Sequence, residues 1–193
     1  MKPLSEEFDA AMAWASRRHA GQGRHNTDTP YVSHLLATCA IVLEEGGDEE
    51  MAIAALLHDV LEDVPTGRAE LRRRFGKGVY RLVDACTDAD LAERGGLRWR
   101  DRKLTHLRRM AELDDRALLI IAADKVCSLQ SIMDDYLRFG PGLFENSERS
   151  AADLLWNYQE VLAVLAAHLG ERPVVQRLSR LVAEFATRAS VAP

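Results

Sequence analysis

The chain has 193 residues, a length that suits one domain of about 100–200 residues, and its 47% hydrophobic and 28% charged composition excludes a disordered or collagen-like chain. The formal net charge of −5 gives no global attraction to nucleic acid, so an anionic ligand must be held by local Lys and Arg. The longest apolar runs, Met51–Leu57 and Ala117–Ala123, fall far short of the ~20 residues that cross a bilayer, and the N-terminus has no apolar signal core, so the expectation is a cytoplasmic protein without membrane contact.

Hydrophobic residues recur at helical spacing almost everywhere, which predicts an all-α fold. Ser5, followed by Glu6 and Glu7, caps a first helix that stops near Gly21. A polar loop ends at Pro30, whose ring disfavours helix at Thr29, so a second helix begins near Tyr31 and ends at Gly46-Gly47. Asp48 caps a third, apolar on nearly every face and therefore central, over roughly Glu49 to Asp63. Thr66 is the predicted cap of a short basic helix closed by Gly76, with further helix over Val79–Cys86. Asp88–Arg100 reads as a loop containing Gly95-Gly96, and Trp99–Leu113 as helix. Asp114-Asp115 start a long helix that a Gly140-Pro141-Gly142 break ends. Two more helices follow, about Ser147–Leu169 and 174–189. With no repeat or long linker, residues 1–193 read as one domain, the last helix being a packing extension. Cys39, Cys86 and Cys127 lack the CxxC spacing of a zinc or redox motif and are expected as reduced, mostly buried thiols.

The chemistry centres on the adjacent His58-Asp59 pair near the end of the most apolar helix. Burying ionisable groups there costs several kcal/mol unless they are paired or metal-bound. Alone, such a dipeptide is more often a core histidine with one hydrogen bond. Glu62 and Asp63, four residues on, place four polar groups at one helix end. His34 lies in the first turn of the apolar YVSHLLATCAIVL segment, and Asp124 interrupts LLIIAADKV. One divalent cation held by His34, His58, Asp59 and Asp124 would neutralise both carboxylates and use both imidazoles.

PYVSH, ALLHDVLED and AADK occur in an order and spacing that resemble the HD-domain metallophosphohydrolases, in particular the hydrolase domain of RelA/SpoT-type alarmone enzymes and their stand-alone small relatives. The resemblance covers about Phe8 to Leu169 and includes AxxxHAGQGR (Ala15–Arg24), Phe75-Gly76 and DACTD (Asp84–Asp88). It implies an HD-domain helical bundle and Mn²⁺-dependent removal of the 3′-pyrophosphate from guanosine tetra- or pentaphosphate, with Fe²⁺ or another divalent cation as the alternative metal. By position, His34, His58, Asp59 and Asp124 match the metal ligands, and Glu62-Asp63 the acidic pair that orients the attacking water. Arg24 stands where the family has a nucleotide-contacting Arg, and Lys103 and Lys125 flank the implied pocket as cations for a polyphosphate.

The chain departs from the family pattern at three places. Cys127 and Ser128 stand where DRLHN or DKLHN has His and Asn, and Ser128 keeps a short polar group at a substrate-binding position without the reach of an amide. Leu35 follows His34 where the long enzymes have Pro, and the Arg24–Pro30 loop is one residue longer. These departures leave two other readings open, an HD-type phosphohydrolase acting on another phosphorylated nucleotide and a non-catalytic nucleotide-binding regulatory module. His19 is read as a loop support, and His25, His106 and His168 as surface or packing residues. Trp14, Trp99 and Trp156 are too scattered to form a stacking platform for single strands.

Overall fold

The computed structural model describes residues 3–24, 27–88, 98–144 and 149–189. Every regular element among them is helical: α1 (Glu6–Arg18), α2 (Val32–Glu44), α3 (Glu49–Leu57), α4 (Val60–Asp63), α5 (Arg68–Cys86), α6 (Trp99–Met110), α7 (Asp115–Phe139), a 3-10 turn (Gly140–Phe144), α8 (Ala151–Leu169) and α9 (Pro173–Ala189). His25 and Gly95-Gly96 lie outside the described residues.

Side chains cap the starts of α1, α3, α7 and α8. Ser5 accepts from the Glu7 N–H, Asp48 from Met51 and Asp114 from Ala117, each satisfying a backbone donor that the first turn leaves open. Ser150 and Asp153 form a reciprocal capping box at α8. Thr66 does not cap α5 as expected. Its own N–H is turned back onto the Val64 carbonyl at 2.7 Å, Gly67 becomes the cap residue without a side-chain bond, and the Thr66 hydroxyl has no partner among the described residues. Gly76 adopts φ 78°, which an L side chain resists, and puts a kink in α5 where the sequence reading ends one helix and begins another.

The centre of the molecule is α3, whose seven residues Met51–Leu57 are all buried. It packs on α1, α2, α5 and α7. Each Leu or Ile buried there contributes about 1.5–3 kcal/mol. α7 is the second central element, with Leu118, Ile120, Ala122, Ala123 and Val126 fully buried, and it touches α2, α3, α5, α8 and α9. Leu35 sits at 0% exposure in this core and is a packing residue. Among the described residues no helix is long and apolar enough to cross a membrane.

The expected single helix over Glu49–Asp63 is instead two, α3 and α4, separated by His58 and Asp59. The His58 ring Nδ1 lies 2.7 Å from the Ala55 carbonyl oxygen, the acceptor an uninterrupted helix would give to the Asp59 N–H. The ladder therefore stops there, and a new turn starts from the Asp59 carbonyl, which accepts from Glu62 and Asp63. This break sets the chemistry-bearing residues between two core elements.

Candidate active site

Four side chains from three places in the chain meet beside α3. His34 comes from the first turn of α2, His58 and Asp59 from the break between α3 and α4, and Asp124 from the middle of α7. The His34 and His58 Nε2 atoms are 3.2 Å apart. Asp59 Oδ2 lies 3.4 Å from His34 Nε2 and 3.0 Å from His58 Nε2. Asp124 Oδ1 lies 3.2 and 3.7 Å from the same two nitrogens. Both imidazoles are almost wholly buried, and each carboxylate is only 15% exposed.

This donor set fits a divalent cation. A carbonyl only accepts, so the His58 Nδ1 beside the Ala55 oxygen carries a proton, which leaves Nε2 as the ring atom whose lone pair can go to a cation. That lone pair faces a second imidazole and two carboxylates, an array of acceptors that needs shared positive charge. The ionisation equilibria point the same way. Burial works against the charged His58 ring, but the Asp59 and Asp124 carboxylates outweigh it and hold its pKa well above the ordinary value. Burial likewise opposes Asp59 ionisation, and the His58 and His34 rings reverse it. Asp124 is held well below the usual carboxylate range, against burial, by Lys125 and the two imidazoles. Ligand atoms of His34, His58 and Asp59 all lie within 4.8 Å of one another, a spacing that one ion can span.

A second layer orients these groups. The Tyr31 hydroxyl donates to Asp59 Oδ2 at 2.6 Å. Tyr31 stacks on His19 with ring centroids 5.0 Å apart, and His19 Nδ1 pairs with Gln22 Oε1 at 2.7 Å. Gln22 in turn donates to Asp63 Oδ2 at 3.0 Å. Tyr31 and Gln22 were not singled out from the sequence, although both sit inside the PYVSH and HAGQGR segments. The available signal was spacing: Tyr31 stands three residues before His34, one helical turn away. Tyr31→Phe is expected to keep the fold and lower divalent-metal affinity about 10–100-fold, the usual cost of losing a partner that orients a ligand. Metal titration of the two proteins checks it.

Glu62 and Asp63 occupy the turn after the break. Glu62 Oε1 accepts the Asp88 backbone N–H at 2.7 Å, and Asp88 forms a close ion pair with Lys103. Lys125 pairs with Asp124 Oδ2 at 2.6 Å. Burial works against its charge, but Asp124 holds its pKa above the ordinary value. Lys103 and Lys125 are thus each engaged with a carboxylate, Asp88 and Asp124 respectively. His106 is a packing residue: burial and the neighbouring Lys125 and Lys103 push its imidazole down to about 3. His168 is exposed, and Trp99 and Trp156 meet edge to face at 6.3 Å.

Arg24 is buried and does not behave as a solvated loop residue. Its guanidinium donates to Ser128 Oγ at 3.3 Å, and Ser128 donates to Asp124 Oδ1 at 3.0 Å. Ser128 therefore links an arginine to the buried carboxylate. A cavity of about 470 Å³ opens beside Arg24, which lines it together with Ser33, His34, Cys127 and Ser131; Ser128, Lys103 and Lys125 are not among its lining residues. Cys127 is no nucleophile here, since burial raises its thiol pKa.

The family profile described as HD domain matches residues 11–171. Among curated proteins, the chain is 34% identical over 175 residues to a GTP pyrophosphokinase of Streptomyces coelicolor, covering 91% of this chain and 19% of that protein. It is 32% identical over 132 residues to the guanosine-3′,5′-bis(diphosphate) 3′-pyrophosphohydrolase of Aquifex aeolicus, covering 66% and 18%. The chain thus spans about a fifth of the length of these long relatives. A shorter relative, guanosine-3′,5′-bis(diphosphate) 3′-pyrophosphohydrolase MESH1 of Drosophila melanogaster, is 33% identical over 131 residues, which are 66% of this chain and 70% of that one. In solved structures, a metazoan SpoT ortholog described as hydrolysing ppGpp superimposes with a TM-score of 0.78 at 26% identity, covering 95% of this chain and 98% of the other. The matched region runs through the segments that supply His34, His58, Asp59 and Asp124, and the fold around them is shared; the chain belongs to the HD domain family.

Proposed function

We propose that this protein is a divalent-metal-dependent phosphohydrolase that removes the 3′-pyrophosphate from guanosine tetra- or pentaphosphate, with residues 1–193 acting as one hydrolase domain. The observation that carries this reading is the convergence of two imidazoles and two carboxylates, of which His34 also lines a cavity of about 470 Å³. The names of the relatives from Aquifex and Drosophila support the substrate. In this reading His34, His58, Asp59 and Asp124 hold the metal, with Mn²⁺ the proposed ion; N/O donors without thiolate suit it. The three free thiols suit a reducing cytoplasm.

A divalent cation at this centre supplies Lewis-acid polarisation of a phosphoryl oxygen. The residues of the chain do the rest. Glu62 and Asp63, held by the Asp88 N–H and by Gln22, accept a proton from the attacking water. The water oxygen bonds to the phosphorus attached to the ribose 3′-oxygen, that P–O bond breaks, and the 3′-oxygen takes up a proton, leaving free pyrophosphate and a nucleoside 5′-di- or triphosphate. Arg24, Lys103 and Lys125 offset the charge of the phosphates. The test is a phosphate and pyrophosphate release assay over a nucleotide panel with added Mn²⁺. Release of pyrophosphate from 3′-pyrophosphorylated nucleotides is expected, and its absence across the panel overturns the reading.

Ser128 supports a second substrate reading. Its hydroxyl is spent on Asp124 and Arg24, so it offers less to a nucleotide than an amide would, and another phosphorylated nucleotide becomes a candidate. Ser128→Asn is expected to shift relative kcat/KM among nucleotides by an amount worth about 1–3 kcal/mol, without changing metal content. An unchanged substrate profile would place Ser128 outside the binding surface.

A further inference from the structure

The cavity beside the metal-ligating cluster extends along α7 to groups that the hydrolytic step does not use. From Asp124 the helix runs eleven residues, a rise of about 16 Å, to Asp135. Asp134, Asp135 and Arg138 on α7 and Arg177 on α9 line that part of the cavity. Arg177 lies beyond the residues matched by the family profile, so α9, expected from the sequence to be a packing extension, also walls the cavity.

Two carboxylates facing two guanidiniums leave this end near neutrality. A second phosphate group would meet as much repulsion as attraction there, whereas a neutral, strongly dipolar ring would meet complementary donors and acceptors. Asp134 already accepts a hydrogen bond from Gln130 at 3.0 Å. Asp135 is half-buried, and the charges acting on it are those of Arg138, Asp134 and Arg24. Its carboxylate is not engaged in a hydrogen bond or ion pair within the described residues, although it faces the cavity.

We propose that Asp135 reads the nucleobase, accepting N1–H and N2–H of guanine and so selecting guanine over adenine. A carboxylate has two acceptor oxygens and no donor. Guanine presents two adjacent N–H groups on that edge, which a carboxylate receives together. Adenine presents the N1 lone pair there, which the carboxylate repels, so the wrong base leaves the Asp135 acceptors unpaired. The arginines on the same wall provide donors of the kind that pair with guanine O6 and N7. The inference rests on reading the cavity as the nucleotide site of the proposed hydrolase.

The test is calorimetric titration of the metal-loaded full chain with GDP and with ADP, neither of which carries a 3′-pyrophosphate to be hydrolysed. The wild type is expected to favour GDP by about tenfold or more, and Asp135→Asn and Asp135→Ala to bring the two affinities within about twofold by weakening GDP alone. Equal affinities in the wild type, no GDP binding up to millimolar concentration, or a preference that survives both substitutions overturns the proposal. A GDP preference that depends on Asp135 in a protein releasing no pyrophosphate from any nucleotide supports base reading and overturns the hydrolytic reading alone.

Discussion

His58→Ala is expected to empty the proposed metal centre and abolish turnover, with a loss of about 10³-fold or more, the scale on which members of one catalytic unit fail. The ring stands 3.2 Å from the His34 nitrogen and 3.0 Å from Asp59, and its orientation is fixed by the Ala55 carbonyl. Removing it leaves three donors where four converge and returns two buried carboxylates to the problem of sharing too little positive charge. The ring also ends α3, so circular dichroism must first show that the helices persist. Elemental analysis of the purified variant then reads metal content directly, and a pyrophosphate-release assay reads turnover. Full metal occupancy with full activity would show that the ligand assignment is wrong.

Glu62→Gln and Asp63→Asn separate binding from chemistry. Each keeps the shape of the side chain and removes the ability to take a proton, so under the proposed mechanism metal is expected to stay bound while kcat falls about 10²–10⁴-fold. The two carboxylates are neighbours in sequence but are held differently, Glu62 by the Asp88 N–H at 2.7 Å and Asp63 by the Gln22 amide at 3.0 Å. An amide at position 63 would keep an acceptor for Gln22, so the variant tests proton transfer and not loss of that contact. Because either carboxylate can partly replace the other, the double variant is expected to lose more than either single one. Unchanged turnover in all three proteins would remove the acidic pair from the reaction.

Much of the fold was legible because helix formation is local. Capping by Ser5, Asp48 and Asp114, the apolar faces of α3 and α7, and the kink at Gly76 depend on residues within a few positions of one another, and each is where the pattern puts it. The misreadings were also local, where one group competed with another for the same backbone atom. The His58 ring takes up the Ala55 carbonyl and breaks a helix that hydrophobic spacing alone would continue to Asp63. At Thr66 the backbone N–H folds onto Val64 and leaves the hydroxyl one residue away from the cap position.

Taken by itself, the sequence determined that the chain is all-helical, that α3 and α7 are buried, and that His34, His58, Asp59 and Asp124 are polar residues on apolar helices, because periodicity and residue type are properties of the chain. It also carried the HD-type motifs. Only the tertiary structure decided that Asp124, sixty-five residues beyond Asp59, brings its carboxylate within 3.7 Å of the His58 ring. The same holds for the Tyr31 hydroxyl on Asp59, the burial of Arg24 against Ser128, and the cavity that α9 helps to wall. Those contacts join segments far apart in sequence, and their geometry is set by how the helices pack on α3. No local pattern of residues encodes it.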